Sequence, residues 1–190
     1  MISFITKTSL PWIEIGYSEF ALHGETGITI ELLAKKLKKS KSSFYHNFAN
    51  RDIFIDVLLD YHLTQGSILA EKEKKCNTLV PELIEVLIEH KTDILFHRQL
   101  RIKRHIRRYN ACLERLDEEA EKAVLRLWSQ ELGLEWNSDL SAMLLRFSLE
   151  NFFLQLTEHT MNIEWMSQYM EELKSLFQGL RKSERNSIRR

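Results

Sequence analysis

Cationic and hydroxyl side chains dominate residues 32–51, LLAKKLKKSKSSFYHNFANR, which contain five lysines and one arginine but no acidic residue. Ser40, Ser42 and Ser43 alternate with these cations, and two polar rings, Tyr45 and His46, follow. Lysine and arginine neutralise phosphates, and short hydroxyl groups can hydrogen-bond to base edges. The stretch therefore has the chemistry of a surface that binds a polyanion.

The local charge of this stretch contrasts with the balance of the whole chain. The 190 residues include 27 basic and 27 acidic side chains, so the net charge is zero. Only the distribution of charge is therefore informative about partners. Acidic residues precede the stretch at Glu14, Glu19 and Glu25, and a second acid-free run lies between Asp93 and Glu114. The charges are segregated along the sequence.

The composition favours a folded helical protein. Hydrophobic residues make up 44% of the chain, and only 2 prolines and 6 glycines interrupt it. Cys76 and Cys112 are too few for a disulfide framework and lack the CxxC spacing of a zinc site. No apolar run approaches the roughly 20 residues of a membrane span, and the N-terminal segment does not have a signal-peptide pattern. We expect a soluble cytoplasmic protein with no membrane segment and no cofactor.

Helix-capping residues place the cationic stretch within a series of helices. Pro11 suits the first turn of a helix. Thr29, Ser40 and Asn50 are each in a position to cap the N-terminus of a following helix. The bend between the second and third helices is about three residues long, as in a helix-turn-helix. The expected helices cover about 11–24, 30–37, 41–47 and 51–75. Within them, Leu33, Leu37, Phe44 and Phe48 are predicted to face inward.

Beyond residue 78 the hydrophobic periodicity predicts helices only. These cover about 79–108, with a break near residue 97 left open, then 113–132, 138–160 and 163–181. The last two have broad apolar surfaces and are expected to supply half of a four-helix dimer bundle. Aromatic and methionine side chains of this half could also line an effector pocket, but most are expected in the core or the dimer interface. The predicted interface residues are Leu140, Met143, Leu144, Phe147, Met166, Tyr169, Met170, Leu173 and Phe177.

Positions 12–61 resemble the DNA-binding domain of TetR-family (tetracycline-repressor-like) transcriptional regulators. Residues 13–24 (IEIGYSEFALHG) are similar to the first helix of that domain and 29–37 (TIELLAKKL) to the second. Residues 40–48 (SKSSFYHNF), followed by Asn50-Arg51-Asp52, resemble the recognition helix and the start of helix four. The resemblance covers about the first third of the chain.

The resemblance implies an all-α fold with two domains. Residues 1–50, with the start of a connecting helix to about residue 61, would form a three-helix helix-turn-helix domain. That long helix would join it to a C-terminal helical domain, residues 51–190, for effector binding and dimerisation. No sequence feature identifies the effector or its binding residues.

The resemblance also implies DNA contacts for particular side chains. A lysine and two serines occupy the exposed first turn of the recognition helix, which meets base edges in the family. The tyrosine and the histidine that come later in the same helix would contact phosphate groups or thymine methyl groups. A threonine and an arginine begin helices two and four, which hold the DNA backbone. The predicted contacts are Thr29, Lys41, Ser42, Ser43, Tyr45, His46 and Arg51.

Two departures from the family pattern lie in or beside this motif. Lys38 and Lys39 occupy the turn where the family usually has Gly-Val, and Asn47 occupies the usual histidine position, with His46 one residue earlier. These departures motivate an alternative: an all-helical ligand-binding or protein-interaction protein that does not read DNA specifically.

The leading hypothesis is a homodimeric transcriptional regulator, expected to be a repressor, that binds a quasi-palindromic DNA operator and is released by a small-molecule effector. Its two recognition helices would lie about 34–36 Å apart, or a multiple of that distance. The sequence contains no acid–base pair, nucleophile constellation or phosphate-cradling glycine loop, so we do not expect an enzyme.

Two further groups of residues have more than one interpretation. The basic run 97–109 (HRQLRIKRHIRRY) could bind an anionic effector or face phosphates, but salt bridges with the acidic run 114–121 are the favoured interpretation. His90, Asp93 and His97 share one helical face at a spacing that would permit a metal ion. We expect them to be ordinary surface residues and predict no metal.

Overall fold

The computed structural model describes residues 5–135 and 138–188, with side chains through Phe177. Within these residues every regular element is helical, which confirms the predicted all-α class. A 3-10 turn, Gly24–Gly27, follows α1, and a wide helical turn, Leu79–Leu83, precedes α5. The helices are α1 (Leu10–His23), α2 (Ile30–Leu37), α3 (Lys41–Tyr45), α4 (Arg51–Glu73), α5 (Ile84–Glu89), α6 (Lys91–Ile102), α7 (Arg107–Leu132), α8 (Asp139–Gln155) and α9 (Ile163–Ile188).

The three predicted N-caps of the helix-turn-helix region are present. The Thr29 hydroxyl oxygen accepts a hydrogen bond from the Leu32 backbone N–H at 3.3 Å, and the Ser40 hydroxyl oxygen accepts from the Ser43 N–H at 3.2 Å. The Asn50 side-chain oxygen accepts from the Ile53 N–H at 2.9 Å. Each cap satisfies a backbone donor that has no partner within its own helix, so the helices begin where the sequence predicts.

An aromatic cluster holds the first helices together. Phe44 is fully buried, and its ring packs edge-on against Trp12 and Phe54 at centroid distances of 5.4 and 5.2 Å. Phe48 packs on Phe54 at 4.7 Å. Leu33 is also buried, so three of the four predicted inward positions lie in the core, while Leu37 is half-buried. This packing fixes the orientation of the short α3, which has too few turns to be stable alone.

The turn between α2 and α3 adopts a left-handed backbone conformation without a glycine. Lys38 ends α2 with φ 53° and ψ 40°. The N–H of Lys39 then donates to the Ala34 carbonyl at 2.9 Å, which closes the helix end. A side chain in this conformation costs about 1–2 kcal/mol. The turn therefore keeps its geometry although the usual glycine is missing.

Replacement of Lys38 by glycine is expected to stabilise the protein by about 0.5–1 kcal/mol, because relief of the left-handed strain exceeds the entropy cost of glycine. Urea unfolding would measure this change. Lys39→Gly removes the same charge at a neighbouring position that has no positive φ, and it should destabilise the protein. Equal effects of the two substitutions would contradict the strain at Lys38.

The contacts divide the chain into two compact units. The first unit contains residues 1–68 and 90–117, and the second contains residues 69–89 and 118–190. The first unit therefore includes α6 and the start of α7 together with the helix-turn-helix. Within it, α6 packs along α1, and the Phe96 ring stacks on Tyr17 and Phe20 at 4.4 and 4.3 Å. The functional division near residue 50 stays a prediction.

The helix boundaries predicted after residue 78 were partly wrong. The segment 79–108 is divided into three pieces, with breaks at His90 and at residues 103–106. His90 adopts a non-helical conformation, and its ring hydrogen-bonds to Asp93 in the first turn of α6. Neither break has a glycine or proline signal in the sequence. No helix in the described part of the chain is long and apolar enough to cross a membrane.

Candidate nucleic-acid interface

The outer face of α3 carries most of the predicted DNA contacts. Lys41, Ser42, Tyr45 and His46 are exposed, and the Tyr45 side chain is 54% accessible. They occupy positions i, i+1, i+4 and i+5, which share one side of a helix. Ser43 is half-buried. The structure therefore brings together a cation, a hydroxyl and two polar rings on one convex surface, and burial of the intervening phenylalanine holds that surface outward.

Lys41 is paired with an acid that sequence reasoning did not identify. Its ammonium group contacts the Glu31 carboxylate in the first turn of α2. The hydrogen bond from Lys41 lowers the pKa of Glu31, and the same bond raises the pKa of Lys41. Both side chains are exposed. A phosphate that approached Lys41 would compete with Glu31, so this acid is expected to weaken binding of any polyanion.

We expect Glu31→Gln to increase the affinity for a mixed-sequence DNA duplex about two- to fivefold at low salt, because it removes a negative charge beside Lys41. Fluorescence anisotropy of a labelled duplex would measure the change. Glu85→Gln is the matched control, since Glu85 is an exposed acid in the second unit. A similar gain in both variants would indicate only a general effect of net charge.

Arg51 acts as a clamp within the first unit. Its Nε donates to the Ile28 carbonyl at 2.7 Å, and its Nη2 donates to the Glu25 carbonyl at 2.6 Å. Its Nη1 lies 3.3 Å from the Glu25 carboxylate, which also accepts a bond from the Tyr109 hydroxyl at 2.9 Å. These contacts hold the connection just before the exposed cap Thr29. The predicted DNA contact by Arg51 itself stays a prediction.

The remaining lysines of the stretch have varied surroundings. Lys36 pairs with the buried carboxylate of Glu19, and the Lys39 ammonium lies 6.0 Å from the centroid of the Trp12 ring. Lys35 and Lys38 are exposed, with no ion-pair partner among the residues that the structure describes. The surface around α2 and α3 therefore keeps an excess of positive charge despite its two ion pairs.

Buried polar side chains lie behind this surface, in the core of the first unit. The Tyr17 hydroxyl lies 2.7 Å from both His62 Nδ1 and Asp93 Oδ1. The other oxygen of Asp93 lies 2.7 Å from His90 Nδ1. Burial raises the pKa of Tyr17 well above its usual value, and the Asp93 charge adds to the rise. Tyr17 thus joins α1 to α4 and α6 through hydrogen bonds.

A second set of contacts continues from His62. Its Nε2 lies 3.3 Å from His97 Nδ1, and His97 Nε2 lies 3.1 Å from the Asp117 carboxylate. Arg101 also pairs with Asp117. Burial favours a raised pKa for Asp117, but the hydrogen bonds and charges of His97 and Arg101 lower it overall. Burial lowers the pKa of His62 well below its usual value, and His97 lowers it further.

These contacts correct one expectation for His90, Asp93 and His97. All three are buried rather than ordinary surface residues, because the face they share packs into the first unit. Within the described ranges, no three His, Cys, Asp or Glu side chains form a cluster that could hold a metal ion. The favoured interpretation of the basic run is partly confirmed, because Arg101 pairs with an acid of the 114–121 run.

The predicted dimer residues divide into two groups. Met166, Tyr169 and Phe177 are buried within their own chain, and the Tyr169 hydroxyl donates to the Ser148 carbonyl at 2.8 Å. Met170 and Leu173 on α9 and Leu144 on α8 are half-buried. Leu140, Met143 and Phe147 are exposed along one stripe of α8, and Phe147 is 68% accessible. Their place in a dimer interface stays a prediction.

The comparisons with known proteins give a fold. No protein-family model and no curated protein sequence matches this chain. Among solved structures, a transcriptional regulator of the TerR/AcrR family from Aquifex aeolicus VF5 is 18% identical, with a TM-score of 0.58 over 91% of this chain and 99% of that one. The ketosteroid transcriptional regulator KstR2 of Mycobacterium tuberculosis is 14% identical, with a TM-score of 0.59 over 92% and 97%.

A third similar structure is a TetR-family transcriptional regulator from Cytophaga hutchinsonii. It is 19% identical, with a TM-score of 0.53 over 92% of this chain and 96% of that one. These likenesses extend over more than nine-tenths of the chain, well beyond the N-terminal motif. The chain therefore has the fold of the TetR/AcrR-family transcriptional regulators.

Proposed function

We propose that the chain is a DNA-binding transcriptional regulator that places α3 in the major groove. The observation that carries this proposal is the exposed face of α3, with Lys41, Ser42, Tyr45 and His46 held outward by the buried Phe44. Side chains of this kind supply both phosphate contacts and base-edge hydrogen bonds. The fold supports the same function, and the α2–α3 turn keeps its geometry with Lys38 and Lys39 in place of the usual residues.

A salt titration of DNA binding tests this function. The probe is the DNA upstream of the protein's own gene, with a shuffled duplex of equal length as competitor. We expect binding that survives physiological salt and exceeds binding to the shuffled duplex at least about 1,000-fold. Equal affinity for the two duplexes, lost by physiological salt, together with failure to select any site from fragmented genomic DNA, would favour the alternative of a ligand-binding or protein-interaction protein.

The proposal includes a homodimer built on α8 and α9. Leu140, Met143 and Phe147 expose apolar side chains along α8, and Leu176 on α9 is exposed as well. An apolar stripe of this kind is costly to leave in water and suits the helix packing of a four-helix bundle. A two-fold dimer would present two α3 helices to a quasi-palindromic operator. We further propose that the protein is a repressor whose binding a small-molecule effector releases.

Phe147→Asp is expected to raise the dimer dissociation constant at least about 30-fold, because a charge would replace a central apolar contact. Sedimentation at several concentrations would measure this constant, and operator affinity should fall in parallel. Leu22→Asp is the control, since Leu22 is an exposed apolar residue on α1 of the first unit. A Phe147→Asp protein that remains dimeric at all concentrations would show that α8 does not form the interface.

A further inference from the structure

The loop between α6 and α7 presents a second group of cations in the first unit. Lys103, Arg104 and His105 in the loop, and Arg107 at the first position of α7, are all exposed. Lys103 and Arg107 have no ion-pair partner among the residues that the structure describes, and the next residue, Arg108, is paired with two acids of α4. The favoured interpretation, in which the basic run is neutralised by salt bridges, therefore does not apply to Lys103 and Arg107.

The start of α7 lies beside the start of α4. Arg108 contacts Asp52 at 3.5 Å and Asp56 at 3.1 Å, both within the first two turns of α4. Further along, the Leu116 side chain packs against Gly66. The two helices therefore run side by side in the same direction, and the loop before α7 lies at the end of the unit where α4 begins.

This end of the unit also holds the N-terminus of α2. Arg51, the first residue of α4, clamps the Glu25–Ile28 connection, and Tyr109 of α7 donates to the Glu25 carboxylate. When α3 lies in the major groove, the start of α2 approaches the phosphates that flank it. The start of α7, which directly follows the cationic loop, is therefore joined by the Tyr109–Glu25 hydrogen bond to the connection before α2.

We propose that the α6–α7 loop, through Lys103, Arg104 and Arg107, binds backbone phosphates of the DNA beside the half-site that α3 occupies. This inference rests on the proposed DNA-binding function. The loop adds affinity without reading sequence, because its long flexible cations reach phosphates and not base edges. Arg108 pairs with both Asp52 and Asp56 but neutralises only one of these two charges, so one negative charge remains against the two positive charges of Lys103 and Arg107.

The test compares two triple variants in a salt titration with a mixed-sequence duplex. Lys103→Gln, Arg104→Gln and Arg107→Gln together should reduce the slope of log K against log salt by about 2–3, which corresponds to about 0.9 for each lost phosphate contact. The control removes three exposed cations of the second unit, by Lys74→Gln, Lys122→Gln and Arg126→Gln. It should leave the slope unchanged.

The outcomes separate this inference from the function on which it rests. A wild-type protein that binds no DNA would overturn both. A wild-type protein that binds DNA with an unchanged slope in the loop variant, while Lys41→Ala weakens binding, would overturn only the role of the loop. Equal losses in the loop variant and in the control would also overturn it, because the effect would then come from net charge.

A different observation supports a second inference: the number of hydrogens available to the contacts among the buried polar side chains of the first unit. Four successive contacts join Asp93 to Tyr17, Tyr17 to His62, His62 to His97 and His97 to Asp117. Each contact requires one hydrogen between its two atoms. An ionised aspartate supplies none, and a tyrosine and two neutral histidines supply one each. This series of four contacts therefore lacks one hydrogen if both histidines are neutral.

We propose that His97 carries this additional proton and donates from both ring nitrogens, to His62 on one side and to the Asp117 carboxylate on the other. His97 lies directly against a carboxylate, which stabilises an imidazolium. His62 is the poorer site, because its ring is buried between Tyr17 and His97. The lowered pKa of His62 agrees with a neutral ring at that position.

The charge on His97 links the packing of four helices to pH. The titratable and charged groups of this cluster are Tyr17 on α1, Asp60, Tyr61 and His62 on α4, His90 just before α6, Asp93 and Arg101 on α6, and Cys112 and Asp117 on α7. Loss of the His97 proton would leave two lone pairs facing each other at one contact. The first unit should therefore lose stability as the pH rises through the range in which His97 deprotonates.

Nitrogen-15 NMR of the histidine side chains in the full-length protein tests this assignment. At neutral pH we expect protons on both ring nitrogens of His97 and on one nitrogen of His62. Asp117→Asn should return His97 to a neutral ring, whereas His46→Gln, which changes an exposed histidine, should leave it unchanged. A neutral His97 in the wild-type protein at neutral pH would overturn the inference, whatever the stability of the variants.

Discussion

Phe44→Ala is expected to lower the free energy of unfolding by about 3–5 kcal/mol, because it opens a cavity in the centre of the aromatic cluster. Phe44 is fully buried and touches the rings of Trp12, Phe48 and Phe54. A loss of this size is a large part of the stability of a typical domain. Urea or thermal unfolding would measure it.

Tyr45→Ala is the matched variant at the next position. Tyr45 is 54% accessible, so the free energy of unfolding should change by less than about 1 kcal/mol. Affinity for the operator should instead fall about 10- to 100-fold, because base and phosphate contacts are lost. If Tyr45→Ala were as destabilising as Phe44→Ala, or bound DNA as tightly as the wild type, the outward orientation of α3 would be wrong.

The second large effect concerns Glu73 at the end of α4. This side chain is buried, and burial raises its pKa to about 7. The unfolded carboxyl group titrates near 4.5, so the folded protein binds more protons between these two values. Stability should therefore fall as the pH rises from about 4.5 to about 7, by roughly 3 kcal/mol in total.

Glu73→Gln should remove this loss. The variant should be more stable than the wild type by about 3 kcal/mol at pH 8 and nearly equal to it below about pH 4.5. Unfolding in urea at several pH values would measure the difference. Glu71→Gln is the control, because Glu71 is an exposed acid two residues away that pairs with Lys74. A constant difference between Glu73→Gln and wild type at all pH values would contradict the buried-carboxyl explanation.

Local features of the site were predictable from sequence. Thr29, Ser40 and Asn50 cap their helices as expected, because a cap requires only a polar side chain and the backbone a few residues on. Phe44 and Phe48 were assigned to the core from helical spacing alone. The other residues of α3 were therefore predicted to face outward.

Features that depend on tertiary contacts were missed. The Glu31–Lys41 pair joins two helices across the turn, and nothing in local sequence indicates which lysine the acid selects. His90 and His97 were expected at the surface, yet both are buried, and His97 contacts His62 and Asp117, which are distant in sequence.

A footprint on the DNA that this protein binds most tightly is the most direct measurement of whether α3 lies in the major groove. We expect protection from hydroxyl radicals at two symmetric sites whose centres are about one helical turn apart, or a multiple of that spacing. Protection should weaken evenly in the Lys41→Ala protein. Uniform protection without two-fold symmetry, or a footprint unchanged by Lys41→Ala and Tyr45→Ala, would contradict the placement of α3 in the major groove.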